Sequence, residues 1–139
     1  MNWKEMAIQS LRQYMPLRTA CSILEQRRKR CALEIRRLRR AVEKGTGSRL
    51  ALARCRVKNR QLLVQLKKNR QQLDMVRKAM SALNQQEQLV LYRLYVQPQR
   101  NNLDLLCQEL EREKTTIYRR RDRALQKFTL ALYGLPEEA

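Results

Sequence analysis

The chain has 139 residues, enough for one ordinary domain or a small domain with an extended helical segment. It carries 31 Lys+Arg against 13 Asp+Glu, a net charge of +18, and its three Gly and three Pro are too few for the frequent turns of a sandwich or barrel. No apolar run exceeds four residues, so no membrane span is expected; the opening Met1-Asn2-Trp3-Lys4-Glu5 lacks a signal peptide's apolar stretch, and the expected location is cytoplasmic. The fold class read from this is all-α.

A first short helix is expected from about Trp3 to Tyr14, stopping before Pro16, because the residue ahead of a proline disfavours the α region. Leu17, Cys21, Leu24, Arg28, Cys31, Ile35, Leu38 and Val42 then recur at alternating spacings of 4 and 3, and only Arg28 is polar. The tract Gly45-Thr46-Gly47-Ser48 interrupts the pattern and offers Ser48 as the next N-cap. A second series follows in Leu52, Cys55, Asn59, Leu62, Leu66, Asn69, Leu73, Val76, Met80 and Leu83. Seams of period 3.5 on consecutive helices joined by a short glycine loop predict a long antiparallel hairpin of coiled-coil type over residues 1–80. Asn59 and Asn69 have two readings. Either they fix register by pairing with asparagine or with Arg28 across the seam, or the seam is leaky and they point partly to water.

The four cysteines form no Cys-x-x-Cys, and no histidine is present to complete a zinc set. Each falls in an apolar register and reads as a small buried hydrophobe. No phosphate-cradling glycine loop, nucleophile motif or metal-spaced carboxylate cluster occurs. The sequence therefore calls for no enzyme, no cofactor and no metal.

Charge divides the chain unevenly. Residues 1–80 hold 22 Lys+Arg and 5 Asp+Glu, whereas residues 81–139 hold 9 and 8. Arg27-Arg28-Lys29-Arg30, Arg36-Arg37 and Arg39-Arg40 face one anion, Glu34. Like charges at i,i+4 destabilise a helix, and a solvated face would normally alternate signs. A polyanion such as DNA or RNA would cancel the repulsion and release counterions. A solvated face and an acidic protein surface are the other readings.

Residues 81–139 read as a separate helical domain. Asn84-Gln85-Gln86-Glu87 has the form of a capping box, opening a helix that ends before Pro98. After the polar stretch 97–102, Leu103, Leu106, Cys107 and Leu110 mark a short helix, and a turn over Glu111–Lys114 leads to a long last helix ending at Gly134. On that helix Ile117, Ala124, Leu125, Phe128, Ala131 and Leu132 share one face. Thr115, Thr116, Arg119, Asp122 and Arg123 occupy the other, with Tyr118 at its edge. A short helix, a tight turn and a longer helix with Thr, Tyr and Arg at its exposed start describe a helix-turn-helix, whose second helix enters a major groove. The alternative is a three-helix cap whose arginines are solvated surface.

The stretch Leu83–Gly134, with Glu87, Val90, Tyr92 and Tyr95 before the motif and Thr116-Ile117-Tyr118-Arg119-Arg120-Arg121-Asp122-Arg123-Ala124-Leu125 after it, is similar to the fourth region of bacterial sigma factors. It most resembles phage-encoded sigma-like regulators of the ArpU and RinA types, which control late transcription. The resemblance implies DNA-reading side chains on both sides of the first buried aliphatic of the last helix, here Ile117. The implied readers are Lys114, Thr115, Tyr118 and Arg119, with Thr116 and Arg123 on phosphates. The sequence departs from the family's turn, placing Glu111, Arg112 and Glu113 where Gly, an aliphatic and Ser or Thr are usual. The expectation is thus a sequence-specific, double-stranded DNA-binding transcriptional regulator, phage or prophage encoded and acting with host RNA polymerase. The chain lacks room for a sigma factor's promoter-melting domain, so it would help or redirect a polymerase. The alternatives are a non-specific nucleic-acid binder that uses the basic hairpin and a coiled-coil adaptor docked on an acidic protein. A homodimer would suit two half-sites, but the hairpin can satisfy its seams internally.

Overall fold

The computed structural model describes residues 2–134. All regular structure among them is helical: α1 (Trp3–Glu43), α2 (Arg49–Ser81), α3 (Gln85–Leu91), a π-helical turn (Tyr92–Val96), α4 (Asn102–Leu110) and α5 (Lys114–Tyr133). The all-α class expected from composition is the one observed. Among the described residues no helix is long and apolar enough to cross a membrane. Two compact units divide the chain, one of residues 1–17 with 72–139 and one of residues 18–71.

The 18–71 unit is built on the two seams. Cys31 and Leu52 are buried, Leu66 is 2% exposed, and the remaining seam positions on both helices are half-buried or buried. The arms run antiparallel: Glu25 pairs with Arg70 at 2.9 Å, and the Cys31 thiol lies 3.4 Å from the Cys55 carbonyl oxygen, nearer the loop. Burial, with the neighbouring Cys55 thiol, pushes the Cys31 thiol above its ordinary pKa. All four cysteines are free, with Cys31 buried and the others half-buried.

The connecting loop shows why two glycines stand there. Gly45 has φ +76°, and the bonds from Thr46 N–H to Ala41 O and from Gly45 N–H to Val42 O form a Schellman cap. A Cβ on Gly47 would lie 2.7 Å from the Val42 nitrogen, too close for any side chain. Ser48 then accepts from Ala51 N–H at 3.1 Å, the N-cap bond expected of it.

The asparagines follow neither reading in full. Asn69 is 7% exposed and accepts from Gln65 on its own helix, while the Asn59 Oδ1 is buried with no hydrogen-bond partner among the described residues. Arg28 turns to Glu25, which bridges it to Arg70, rather than to either asparagine.

The other unit corrects two expectations. The helix expected to end before Pro16 does not: α1 runs through Pro16 to Glu43. An interior proline removes one helical hydrogen bond and crowds the preceding turn, at about 3 kcal/mol. Packing on the N-terminal side opposes that local preference, since Ala7 and Leu11 are fully buried with Val76, Ala79, Leu83, Leu91, Val96, Ala124, Leu125 and Phe128. For the same reason residues 1–17 and 72–80 belong with the C-terminal elements, not with the hairpin arms to which an 80/81 boundary assigns them.

Asn84 and Glu87 close the capping box, each side chain accepting from the other's backbone N–H. Glu87 is 4% exposed and also takes an ion pair from Lys127 on α5 at 3.0 Å, which fastens the start of α3 to the last helix. A small second core of Val90, Leu106 and Ile117, flanked by Leu94, Leu103 and Leu110, holds α3, α4 and α5 together.

Candidate nucleic-acid interface

α4 ends at Leu110, and a three-residue turn separates it from α5, which starts at Lys114. The turn closes without glycine because Glu111 itself adopts the left-handed conformation, φ 53° and ψ 45°, and its N–H bonds to the Cys107 carbonyl. Glu113 occupies the N-cap of α5 in extended conformation, with no side-chain cap bond. The last helix therefore starts at Lys114.

On α5 the apolar face settles as Ile117, Ala124, Leu125 and Phe128, all fully buried. Ala131, expected on this face, is exposed, and Leu132 is half-buried. Thr129 joins the buried set, which the pattern missed, because its hydroxyl donates to the Leu125 carbonyl at 2.7 Å and leaves its methyl free to pack.

The candidate readers lie on the opposite face. Thr115, Arg119 and Arg123 are exposed, Tyr118 is 40% exposed, and Thr116 is half-buried. Lys114 begins the helix, with its Nζ 3.8 Å from Asp104 on α4, a loose contact between exposed groups. At 100° per residue, Thr115, Arg119 and Asp122 form one stripe, with Tyr118 beside it.

The arginine run splits into different roles. Arg120 donates to Gln86 on α3, so it braces the helix. Arg121 stacks its guanidinium 4.8 Å from the centre of the Tyr118 ring and pairs with Asp122 at 3.0 Å. Arg119 and Arg123 make no hydrogen bond or ion pair among the described residues, which leaves their donors open to solvent.

Asp122 places a negative charge in the middle of this face. Lys4, from the start of α1, neutralises it through a bond of 2.9 Å, and Arg121 does so from the adjacent position. Burial alone would raise the Asp122 carboxyl, but these two cations hold it below the usual carboxylate range. The sequence reading missed both partners. Arg121 could have been found from its contact with the next residue; Lys4 lies 118 positions away, and no local pattern announces it.

The 18–71 unit carries the rest of the positive charge. It holds 18 Lys+Arg and 3 Asp+Glu, a net of +15 of the chain's +18. Two of those acids are already engaged, Glu25 by Arg28 and Arg70 and Glu34 by Arg37. Hydrogen bonds from the arginines hold both carboxyls below their ordinary pKa.

Comparison with protein-family models, with curated proteins and with solved structures finds no match.

Proposed function

We propose that this chain is a sequence-specific double-stranded DNA-binding regulator of transcription, with the start of α5 seated in the major groove. The observation that carries the reading is the exposed stripe of Thr115, Tyr118, Arg119 and Arg123, mounted on a helix whose back is fixed by Ile117 in a shared core with Leu106 and Val90. The free guanidinium fork of Arg119 near the helix start suits the O6 and N7 of guanine, that of Arg123 suits a phosphate, and threonine suits a hydroxyl or methyl contact. Tyr118, steadied by Arg121, offers a flat apolar edge beside them. The cations of the 18–71 unit add affinity for phosphates without regard to sequence. The resemblance to sigma region four supports action alongside RNA polymerase, in the manner of the phage late regulators.

A second reading rests on one observation, the 18-to-3 charge imbalance of residues 18–71. It makes the chain a general nucleic-acid binder in which α5 contributes only surface charge.

Selection from a random double-stranded DNA pool at near-physiological salt separates the two, with Arg119→Ala carried in parallel. Groove reading requires an enriched motif whose binding falls by about 1–3 kcal/mol in the variant, while affinity for unselected duplex stays nearly level. Retention of DNA with no enriched motif, and a steep salt slope equal for all sequences, would establish the general binder instead.

A further inference from the structure

α2 has a second apolar stripe on the side opposite its seam. Leu50, Val57 and Val64 follow one another at intervals of seven, and they are 61%, 48% and 58% exposed. A shallow groove of about 490 Å³ runs along this face, lined by Val57, Arg60, Gln61, Val64 and Gln65. The hairpin seam does not use these residues, and a major-groove contact by α5 does not need them. Their spacing is that of the a positions of a heptad, the pattern by which one helix receives another.

The charge around the stripe selects the occupant. Between residues 49 and 71 α2 carries eight Lys+Arg and no acidic residue. In the heptad frame set by Leu50, Arg54, Arg56 and Lys68 flank the stripe, while Arg60 and Lys67 interrupt it. A second copy of the chain would bring cations against cations at these flanks, which costs stability. A phosphate backbone would satisfy the cations but gain nothing from covering leucine and valine. An amphipathic helix with an apolar ridge and glutamates beside it answers both features at once.

We propose that the outward face of α2 from Leu50 to Val64 docks an acidic amphipathic helix of a partner protein. The occupant seats its apolar ridge against Leu50, Val57 and Val64 and its carboxylates against Arg54, Arg56 and Lys68. The inference does not depend on whether α5 reads DNA.

The test uses the full-length protein and two fluorescent peptides of identical composition. One is a four-heptad helix with leucine at a and d and glutamate at e and g; the other has its leucines redistributed around the helix. Fluorescence anisotropy at near-physiological and at high salt gives the affinities. Docking requires the patterned peptide to bind about tenfold or more tightly than the redistributed one, and to lose about tenfold or more on Val57→Gln/Val64→Gln. It also requires part of that preference to survive at high salt, where exposed charge pairs are screened. These side chains are solvent-facing, so circular dichroism of the double variant should match the native chain. Equal binding of the two peptides would reduce the face to a cation patch and overturn the proposal. So would a native dimer by light scattering that the double variant dissolves, which assigns the stripe to a second copy. An equal fall in binding to a random duplex would assign it to nucleic acid.

Discussion

Glu111→Gly tests the turn on which the geometry of α5 depends. Glu111 ends α4 in the left-handed region, at φ 53° and ψ 45°, where a Cβ costs roughly 1–2 kcal/mol. Glu111 is also an anion at the C-terminal, negative end of the α4 dipole, which costs a further few tenths of a kcal/mol at an exposed position. Glycine relieves both but adds roughly 0.5–1 kcal/mol of chain entropy to the unfolded state. The net expectation is a stabilisation of roughly 0.5–1.5 kcal/mol. For a unit of fewer than about 100 residues this raises the midpoint of thermal unfolding by roughly 2–12 °C. Circular dichroism melts of Glu111→Gly and Glu111→Ala separate the two contributions, since alanine removes the charge and keeps the Cβ. Glycine should exceed alanine clearly. A glycine variant no more stable than the alanine variant would refute the left-handed turn, and with it the placement of Lys114 at the start of α5.

Three further outcomes follow from other parts of the structure. Pro16→Ala restores a helical N–H within α1 and should raise stability by about 1–3 kcal/mol in denaturant unfolding; a loss would mean that a local bend at Pro16 is required by the packing of Ala7 and Leu11. Asn59→Leu removes a buried carbonyl oxygen that has no partner and should stabilise the hairpin by about 1 kcal/mol or more, whereas Asn69→Leu, which breaks the bond from Gln65, should gain less. Reversal of that order in chemical melts would count against the seam as described. Asp122→Asn removes the anion from the α5 face and should tighten duplex binding several-fold at near-physiological salt, while Lys4→Ala should weaken it. Because the folded Asp122 carboxyl lies below its unfolded value, its charge, and the stability it lends through Lys4 and Arg121, is present above the unfolded pKa and lost only as pH falls through the folded one. The Asp122→Asn effect should therefore be flat from about pH 6 to pH 8; a marked slope in binding assays across that range would contradict the pairing.

The hairpin seams were legible because heptad spacing is a local signal repeated many times, and one break, at Gly45 to Ser48, divides it cleanly. The capping box at Asn84 and the one-sided stripe of α4 were legible for the same reason. Pro16 misled because the proline rule describes local preference, and burial of Ala7 and Leu11 against α2 and α5 outweighs it. The unit boundary was hidden in turn, since Val76 and Leu83 continue the seam's spacing while their partners change. At the candidate interface, the face of α5 could be drawn from its 3.6-residue period. Which arginines remain open could not, because Gln86 and Lys4 reach α5 from distant parts of the chain. Nor could Glu111 be assigned a positive φ from its identity, glutamate being an uncommon occupant of that region.

The location of Tyr118 on bound DNA tests the central claim most directly. 5-Iodouracil carries its iodine in the major groove and cross-links on irradiation to an aromatic side chain nearby. Substituted at successive thymines of a selected duplex and bound by the full-length protein, it should yield a cross-linked peptide containing Tyr118, lost in Tyr118→Ala and confined to one or two neighbouring positions. Cross-links found only within residues 18–71, or scattered equally along the duplex, would contradict a groove-reading α5.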